Sequence, residues 1–353
     1  MSATTTATKT KSAETLQTFT IKPTPLWQPL PIEGDIPAPY TTKSGLGVVP
    51  LHPTFACELR GVDWSKSISQ EAYDEIRQIA DKYGVVACRN TGLTDEAHIE
   101  FSRNFGDLDD VRPYIDAGRK HRLAYPELFD AGNIDPETGN AAPLSAAQVI
   151  GNKANEQFHV DSSFNARRAG HSLLLAHVIP PKGMGGATEF ADSRTAYDDL
   201  PEEMKQQLAN LVTNHSLFHS RKKAVPDYFK DTDPSKLPLS KHKLIQDHEW
   251  SGRKNLYIAS YVYSIDGMDT EQGTALINDL IEHVSKPKYR TTIPWEQNGD
   301  MIIWDNTSVL HRATGGTYEG KYPRDMRRTT VKDMSSYKFG LNDPSNEWRV
   351  GLP

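Results

Sequence analysis

The chain has 353 residues, room for one large domain or two ordinary ones around a closed hydrophobic core. Its 40 basic and 46 acidic residues are interspersed and sum to a formal charge of -6, so no basic stripe points to nucleic acid or an anionic membrane, and small molecules are the default partner. The longest apolar runs, such as Leu173-Leu174-Leu175-Ala176, fall far short of the roughly 18 residues of a spanning helix, and Cys57 and Cys88 are too few for a disulfide framework, which fits a reducing, cytoplasmic setting.

Residues 1–20 are mostly Thr, Ala, Ser and Lys, with little to bury, and read as a disordered tail. A transit peptide is disfavoured, because the segment has no Arg, contains Glu14 and shows no apolar face. Residues 21–47 hold Pro23, Pro25, Pro29, Pro31, Pro37 and Pro39, with Leu26, Trp27 and Leu30 between them. That composition predicts an extended arm draped on the body, one that could also reach a neighbouring subunit in a homo-oligomer. A globular domain is expected over 48–334, and a C-terminal tail over 335–353 that packs on it.

Within the domain, Ser69 is placed to cap a helix whose Tyr73, Ile76, Ile79, Ala80 and Tyr83 repeat at three and four, before Gly84 ends it and Val85-Val86-Ala87-Cys88 forms a buried strand. A second helix starts at Thr94, with Ala97, Phe101 and Phe105 on its face. Pro201 suits the first turn of a helix bearing Met204, Leu208 and Leu211, and Leu276, Ile277, Leu280, Ile281 and Val284 mark another. Strands are predicted over 172–179, 187–190, 256–262, 301–304 and 326–331. Short strands with helices outside them indicate a mainly β (α+β) sandwich or distorted barrel with flanking helices, not a doubly wound fold. The turn Gly183-Met184-Gly185-Gly186 lacks the spacing and the helix of a phosphate cradle.

Chemistry enters with the 12 histidines. His98-Ile99-Glu100 lies in a helix, where residues two apart do not face each other, so His98 reads as a helix-face histidine. His159-Val160-Asp161 sits in a loop-and-strand setting after Gly151-Asn152-Lys153-Ala154-Asn155, where residues i and i+2 share a side. Taken alone, that pair could as well be a structural hydrogen bond. As ligands, two such groups need a third, and a neutral imidazole beside a carboxylate suits Fe(II) in a 2-His-1-carboxylate arrangement. His311 is the best third candidate, because it follows an apolar run, Met301-Ile302-Ile303-Trp304, that ends in turn-forming residues. His215 and His219 have helical zinc spacing without the glutamate of a zinc protease, and read as structural. Trp304 and Asp305 read as packing and turn groups beneath the site. Arg112, Tyr114, Arg119 and Lys120 lie in a long irregular stretch that is either a lid or a solvated excursion.

Four motifs then occur in order: Gln157 through Phe164, Gly185 through Phe190, Ile303 through Asn306 with His311-Arg312, and Arg324 through Thr330. Together they resemble the TauD/TfdA family of Fe(II)/2-oxoglutarate-dependent dioxygenases, nearer its 2,4-dichlorophenoxyacetate branch than its taurine branch. The resemblance implies a double-stranded β-helix (jelly roll) with His159, Asp161 and His311 on Fe(II). It implies Thr188 and Arg324 on 2-oxoglutarate, and Arg328 on an anionic group of the prime substrate. It also implies oxidation of a substrate C–H bond by O2 with release of succinate and carbon dioxide, supported by ascorbate as reductant. From His311 to Arg324 is thirteen residues, about two more than the family pattern, which puts Gly315, Gly316 or Gly320 in a loop. Desaturation or ring closure of an amino-acid-derived substrate is the alternative within this chemistry; a zinc hydrolase and a non-catalytic jelly-roll binding protein are the alternatives outside it.

Overall fold

The computed structural model describes residues 29–346, except 117, 119, 143 and 145. The expected tail over 1–20 therefore lies outside the described residues, as do Leu26 and Trp27 of the arm. Residues 29–40 of the arm are exposed, and Tyr40–Thr41 adds an edge strand against Gly47–Pro50.

An eight-stranded sheet forms the larger wall, in the order Tyr40–Thr41, Gly47–Pro50, Cys57–Arg60, Val85–Cys88, Met301–Asp305, Ala169–Val178, Asp325–Lys332 and Phe129–Asp130. Its central strands are apolar at successive positions because both faces are covered. Leu173, Leu175, Met301 and Ile303 pack outward on Ile76, Ile79 and Phe101 of the helices Gln70–Tyr83 and Asp95–Arg103. Leu174, Ala176, Ile302, Trp304 and Met326 point inward, onto Phe190, Ile293 and Val309 of a second sheet made of Arg290–Ile293, Thr188–Asp192 and Val309–Ala313. Each Leu, Ile, Val, Met or Phe among them contributes roughly 1.5–3 kcal/mol on burial. Two sheets facing each other this way form the jelly-roll core.

Cross-strand partners share a face, so register fixes what points inside. Trp304 pairs with Ser172, Arg328 with Leu174, and Met326 with Ala176. Ser172 and Arg328 are thereby turned into the space between the sheets, while Arg327 points outward and pairs with Asp95 at 2.6 Å. A third layer, built from the sheet Val212–His215, Ser240–Lys243 and Val262–Ile265, the hairpin Ile245–His248 with Arg253–Leu256, and the helix Thr270–Val284, closes the far end.

Local differences from the sequence-based expectations have simple causes. The residues before His159 form a helix, Ala146–Asn155, where a loop is expected. The strand expected over 256–262 divides into Arg253–Leu256 and Val262–Ile265; residues 257–261 are irregular, with Tyr257 and Ser260 donating backbone N–H groups to Leu244 and Phe158. Pro201 stands just outside the helix Glu202–Leu208 as its N-cap, and Leu211 lies beyond its end. Phe105 likewise lies past the end of Asp95–Arg103. The segment after Asp333 is held by Ser336 N–H on Glu249 and by Lys241 N–H on Asn342.

Candidate active site

Backbone pairing explains why two histidines 152 positions apart meet. Val309–Ala313 is hydrogen-bonded to Thr188–Asp192, which fixes His311 opposite Phe190. On the other side of His311 the chain at His159 makes a two-way bridge, His159 N–H to His311 carbonyl at 3.0 Å and His311 N–H to His159 carbonyl at 2.8 Å. The two rings lie 4.2 Å apart. Asp161, two residues on, shares the side of His159. One ligand atom from each of His159, Asp161 and His311 falls within 4.8 Å of the others, and all three residues are buried.

The protonation pattern suits metal binding. His159 Nδ1 lies 2.7 Å from the Gln157 carbonyl, which can only accept, so the proton sits there and Nε2 keeps its lone pair. His311 has no hydrogen bond from either ring nitrogen: Nδ1 is buried without a partner, and Nε2 is 3.7 Å from Asp161 Oδ2. Burial lowers the pKa of both rings, with the neighbouring His159 adding to the effect on His311. Burial pushes the Asp161 carboxyl up, but Arg328, His311 and His159 outweigh it and hold the group down at about 2. Two neutral imidazoles and one carboxylate fit a divalent first-row metal in the facial arrangement.

A polar frame holds the carboxylate in place. Ser172 Oγ donates to Asp161 Oδ2 at 2.8 Å, and Arg328 Nη1 donates to Oδ1 at 2.6 Å. Asn306 Oδ1 accepts from the Asp161 N–H at 2.8 Å and from Trp304 Nε1 at 3.1 Å, while its Nδ2 donates to the Gly170 carbonyl and to Ser172 Oγ. Trp304 lies under His311, with ring centroids 4.8 Å apart.

Thr188 is buried at the start of its strand, between Ile293 and Ala313. The residues before it form a seam: Gly186 N–H donates to the Gly315 carbonyl at 2.8 Å, and a Cβ on Gly316 would stand 2.3 Å from the Met184 carbonyl oxygen. Gly315 and Gly316 of the long stretch before Arg324 are therefore taken up in contact with the 183–186 turn. Arg324 directly precedes Asp325–Lys332, whose register shifts between Asp325 and Met326. Its backbone exchanges hydrogen bonds with Asn133 at 2.7 and 2.9 Å, its Nη1 donates to the Ala131 carbonyl at 3.0 Å, and its Nε is buried with no partner. Arg328 faces the triad, lies over the Phe129 ring at 4.8 Å, and has a partnerless buried Nε although its Nη1 is engaged by Asp161.

Other candidates lie elsewhere. His98 is buried in its helix, 3.2 Å from the Leu173 carbonyl, and Glu100 points to solvent. His215 is on a strand, bonded to Ser163 and Thr213, and His219 is on the helix Leu217–Ala224, so the two do not share a helix face. Asp305 pairs with His248 at 2.6 Å. Arg112 and Lys120 are exposed, Tyr114 is half-buried, and Arg119 lies outside the described residues. Sequence reasoning missed Ser172, Asn306 and Asn133; the available signals were the inward alternation at Ser172 and the Trp304-Asp305-Asn306 turn.

The geometry has counterparts in known proteins. Residues 47–330 match the family described as taurine catabolism dioxygenase TauD, TfdA family. An alpha-ketoglutarate-dependent 2,4-dichlorophenoxyacetate dioxygenase of Burkholderia sp. (strain RASC) is 35% identical over 80% of this chain and 92% of its own. An (S)-phenoxypropionate/alpha-ketoglutarate-dioxygenase of Sphingobium herbicidovorans is 28% identical over 85% of this chain and 96% of its own. Among solved structures, AAD-2 in complex with Mn(II) and N-oxalylglycine superposes with a TM-score of 0.74 at 32% identity, covering 82% of this chain and 98% of that one. With the family pattern spanning the jelly roll and its buried His-Asp-His cluster, the chain belongs to the TauD/TfdA dioxygenase family.

Proposed function

We propose that this protein is an Fe(II)- and 2-oxoglutarate-dependent dioxygenase that hydroxylates a C–H bond of a small organic anion, with His159, Asp161 and His311 as the iron ligands. The carrying observation is the convergence of those three buried groups within 4.8 Å, together with the partnerless ring of His311. When bound, the iron would supply the centre at which O2 and 2-oxoglutarate react to release succinate and carbon dioxide and oxidise the substrate. Ascorbate belongs in the assay as the reductant that keeps the iron divalent.

The protein's own part is placement. Gln157 keeps His159 in the tautomer with Nε2 free, Ser172 and Arg328 hold the Asp161 carboxylate ionised and oriented, and Asn306 fixes the Asp161 backbone N–H and the Ser172 hydroxyl. Arg324 is the proposed partner of the distal carboxylate of 2-oxoglutarate, since its buried Nε still needs an acceptor and a planar guanidinium suits a carboxylate. Thr188 is the proposed hydroxyl donor to the same cosubstrate. Arg328, with its remaining Nε, is proposed to face the anionic group of the prime substrate. Two relatives named for aryloxy-carboxylates support a small organic anion in that role. Apolar walls from Phe164, Phe190 and Trp304 would keep water from the reacting groups. Cys57 and Cys88, both buried and unpaired, support work in a reducing cytoplasm.

The test is incubation with Fe(II), ascorbate and 2-oxoglutarate against aryloxyacetates, alkyl sulfates and sulfonates, with succinate as readout. Substrate-stimulated succinate that requires iron is the expected result. Turnover of an ester with zinc and without 2-oxoglutarate would replace this reading by a hydrolytic one.

A further inference from the structure

Buried guanidinium nitrogens without a hydrogen-bond partner occur on seven arginines of the described chain, and five of those side chains are neutralised by an aspartate or glutamate within 4 Å. Arg324 and Arg221 are the exceptions: neither has a carboxylate within ion-pair distance among the described residues. Arg324 already has a role in the reading above. Arg221 does not, although two of its nitrogens, Nε and Nη1, are buried without a partner.

Position gives this unneutralised cation a meaning. Arg221 is carried on the helix Leu217–Ala224, which is capped by Ser216 and tied to the site at two points. Gln157 Nε2 donates to the Ser220 carbonyl at 3.3 Å, and Ser220 Oγ lies 3.4 Å from Ser260 Oγ, whose backbone N–H is bonded to Phe158. Tyr261, next in that loop, stands with its ring perpendicular to that of His159, centroids 5.9 Å apart. Arg221 and Arg328 are both within electrostatic reach of Tyr261 and of His159. The helix is held rigidly, because Val225 and Phe229 just beyond it pack on Ile150. A buried guanidinium left with unmade hydrogen bonds is costly unless a ligand supplies acceptors.

We propose that Arg221 is a binding and specificity residue for the prime substrate, taking an oxyanion group, carboxylate or sulfonate, beside Tyr261 on the His159 side of the cluster. The assignment rests on the dioxygenase reading and deepens it: substrate recognition then has a cation from the 217–224 helix in addition to Arg328 from the 325–332 strand. Arg221 is the better disposed of the two, since Arg328 shares its charge with Asp161 at 2.6 Å.

The experiment is anaerobic calorimetric titration of the protein loaded with Mn(II) and 2-oxoglutarate. The ligands are phenoxyacetate, benzenesulfonate and hexanoate, together with the uncharged 2-phenoxyacetamide. The unaltered protein should bind the tightest anion at least tenfold better than the amide. Arg221→Gln should weaken that anion roughly ten- to a hundredfold, close the gap to the amide, and leave 2-oxoglutarate affinity within about twofold; Arg221→Lys should restore part of the loss. Equal weakening of anion and amide, unchanged anion binding in Arg221→Gln, or no binding of any of the three anions by the unaltered protein would overturn the proposal. Failure of the unaltered protein to bind 2-oxoglutarate at all would instead overturn the dioxygenase reading beneath it.

Discussion

Asn306 meets four groups with one carboxamide: the Asp161 N–H and Trp304 Nε1 as acceptor, the Gly170 carbonyl and Ser172 Oγ as donor. All of its hydrogen-bonding capacity is used, so truncation orphans buried partners on both sides. Asn306→Ala is expected to reduce Mn(II) affinity about 10- to 100-fold and global stability by ~3 kcal/mol, measured by metal titration and urea unfolding. A variant that loses stability while binding metal as before would reduce Asn306 to a structural residue. Arg324→Gln should raise the KM for 2-oxoglutarate by about tenfold or more while the prime-substrate KM moves little. Arg328→Ala should do the reverse and also weaken metal binding, because Asp161 loses a partner at 2.6 Å. Equal effects of the two substitutions on both KM values would undo the division of labour between the arginines. At this scale the sequence was informative wherever a rule of spacing applied: His159 and Asp161 are two apart on a bridge residue and the turn after it, and His311 follows a strand and a turn. It gave no role to Asn306 or Ser172: alternation and the turn after Trp304 hint at where they lie, but their importance depends on a long-range strand pairing, Trp304 with Ser172.

The stretch between Gly106 and Pro143 acts as a brace as well as a surface excursion. Arg122 is bidentate to Asp130 and reaches Asp325 at 2.6 Å, and Asn133 is hydrogen-bonded to Arg324 through both backbone and side chain. Asn133→Ala is therefore expected to raise the KM for 2-oxoglutarate roughly three- to tenfold with little change in kcat for saturating cosubstrate. Steady-state kinetics with varied 2-oxoglutarate would check this, and an unchanged KM would mean that Arg324 is held without the brace. Elements of this kind are hard to read in advance. The helix Ala146–Asn155 has the poor helix formers Gly151 and Asn152 in its middle, which blurs the apolar stripe. Residues 256–259 are apolar enough for a strand, yet from Tyr257 on they are buried as irregular chain whose N–H groups find separate acceptors. By contrast Gln70–Tyr83 was legible from end to end, since its stripe, its Ser69 cap and its terminal Gly84 agree.

Across the molecule, buried histidines make the fold acid-sensitive. Burial depresses His98 and His215 to about 3, from an ordinary value of 6.5, so the unfolded chain takes up protons first as pH falls. Their contribution is intact above pH 6.5 and is lost progressively between 6.5 and about 3, on the order of 1.4 kcal/mol per pH unit for each. Urea midpoints should therefore fall steadily from pH 7 to pH 5; a flat profile over that range would mean that these rings are solvated or paired in the folded protein.

The glycine seam also decides where this chain can change length. Met184 and Gly185 touch Gly316 backbone to backbone, so no residue with a side chain fits at Gly316, whereas a Cβ at Gly320 would meet open space. An insertion at the Gly320 tip can bulge outward and leave Arg324 braced by Asn133. The same insertion at 315–316 would pry apart the two loops from which Thr188 and Arg324 hang, shifting together both side chains proposed above for 2-oxoglutarate.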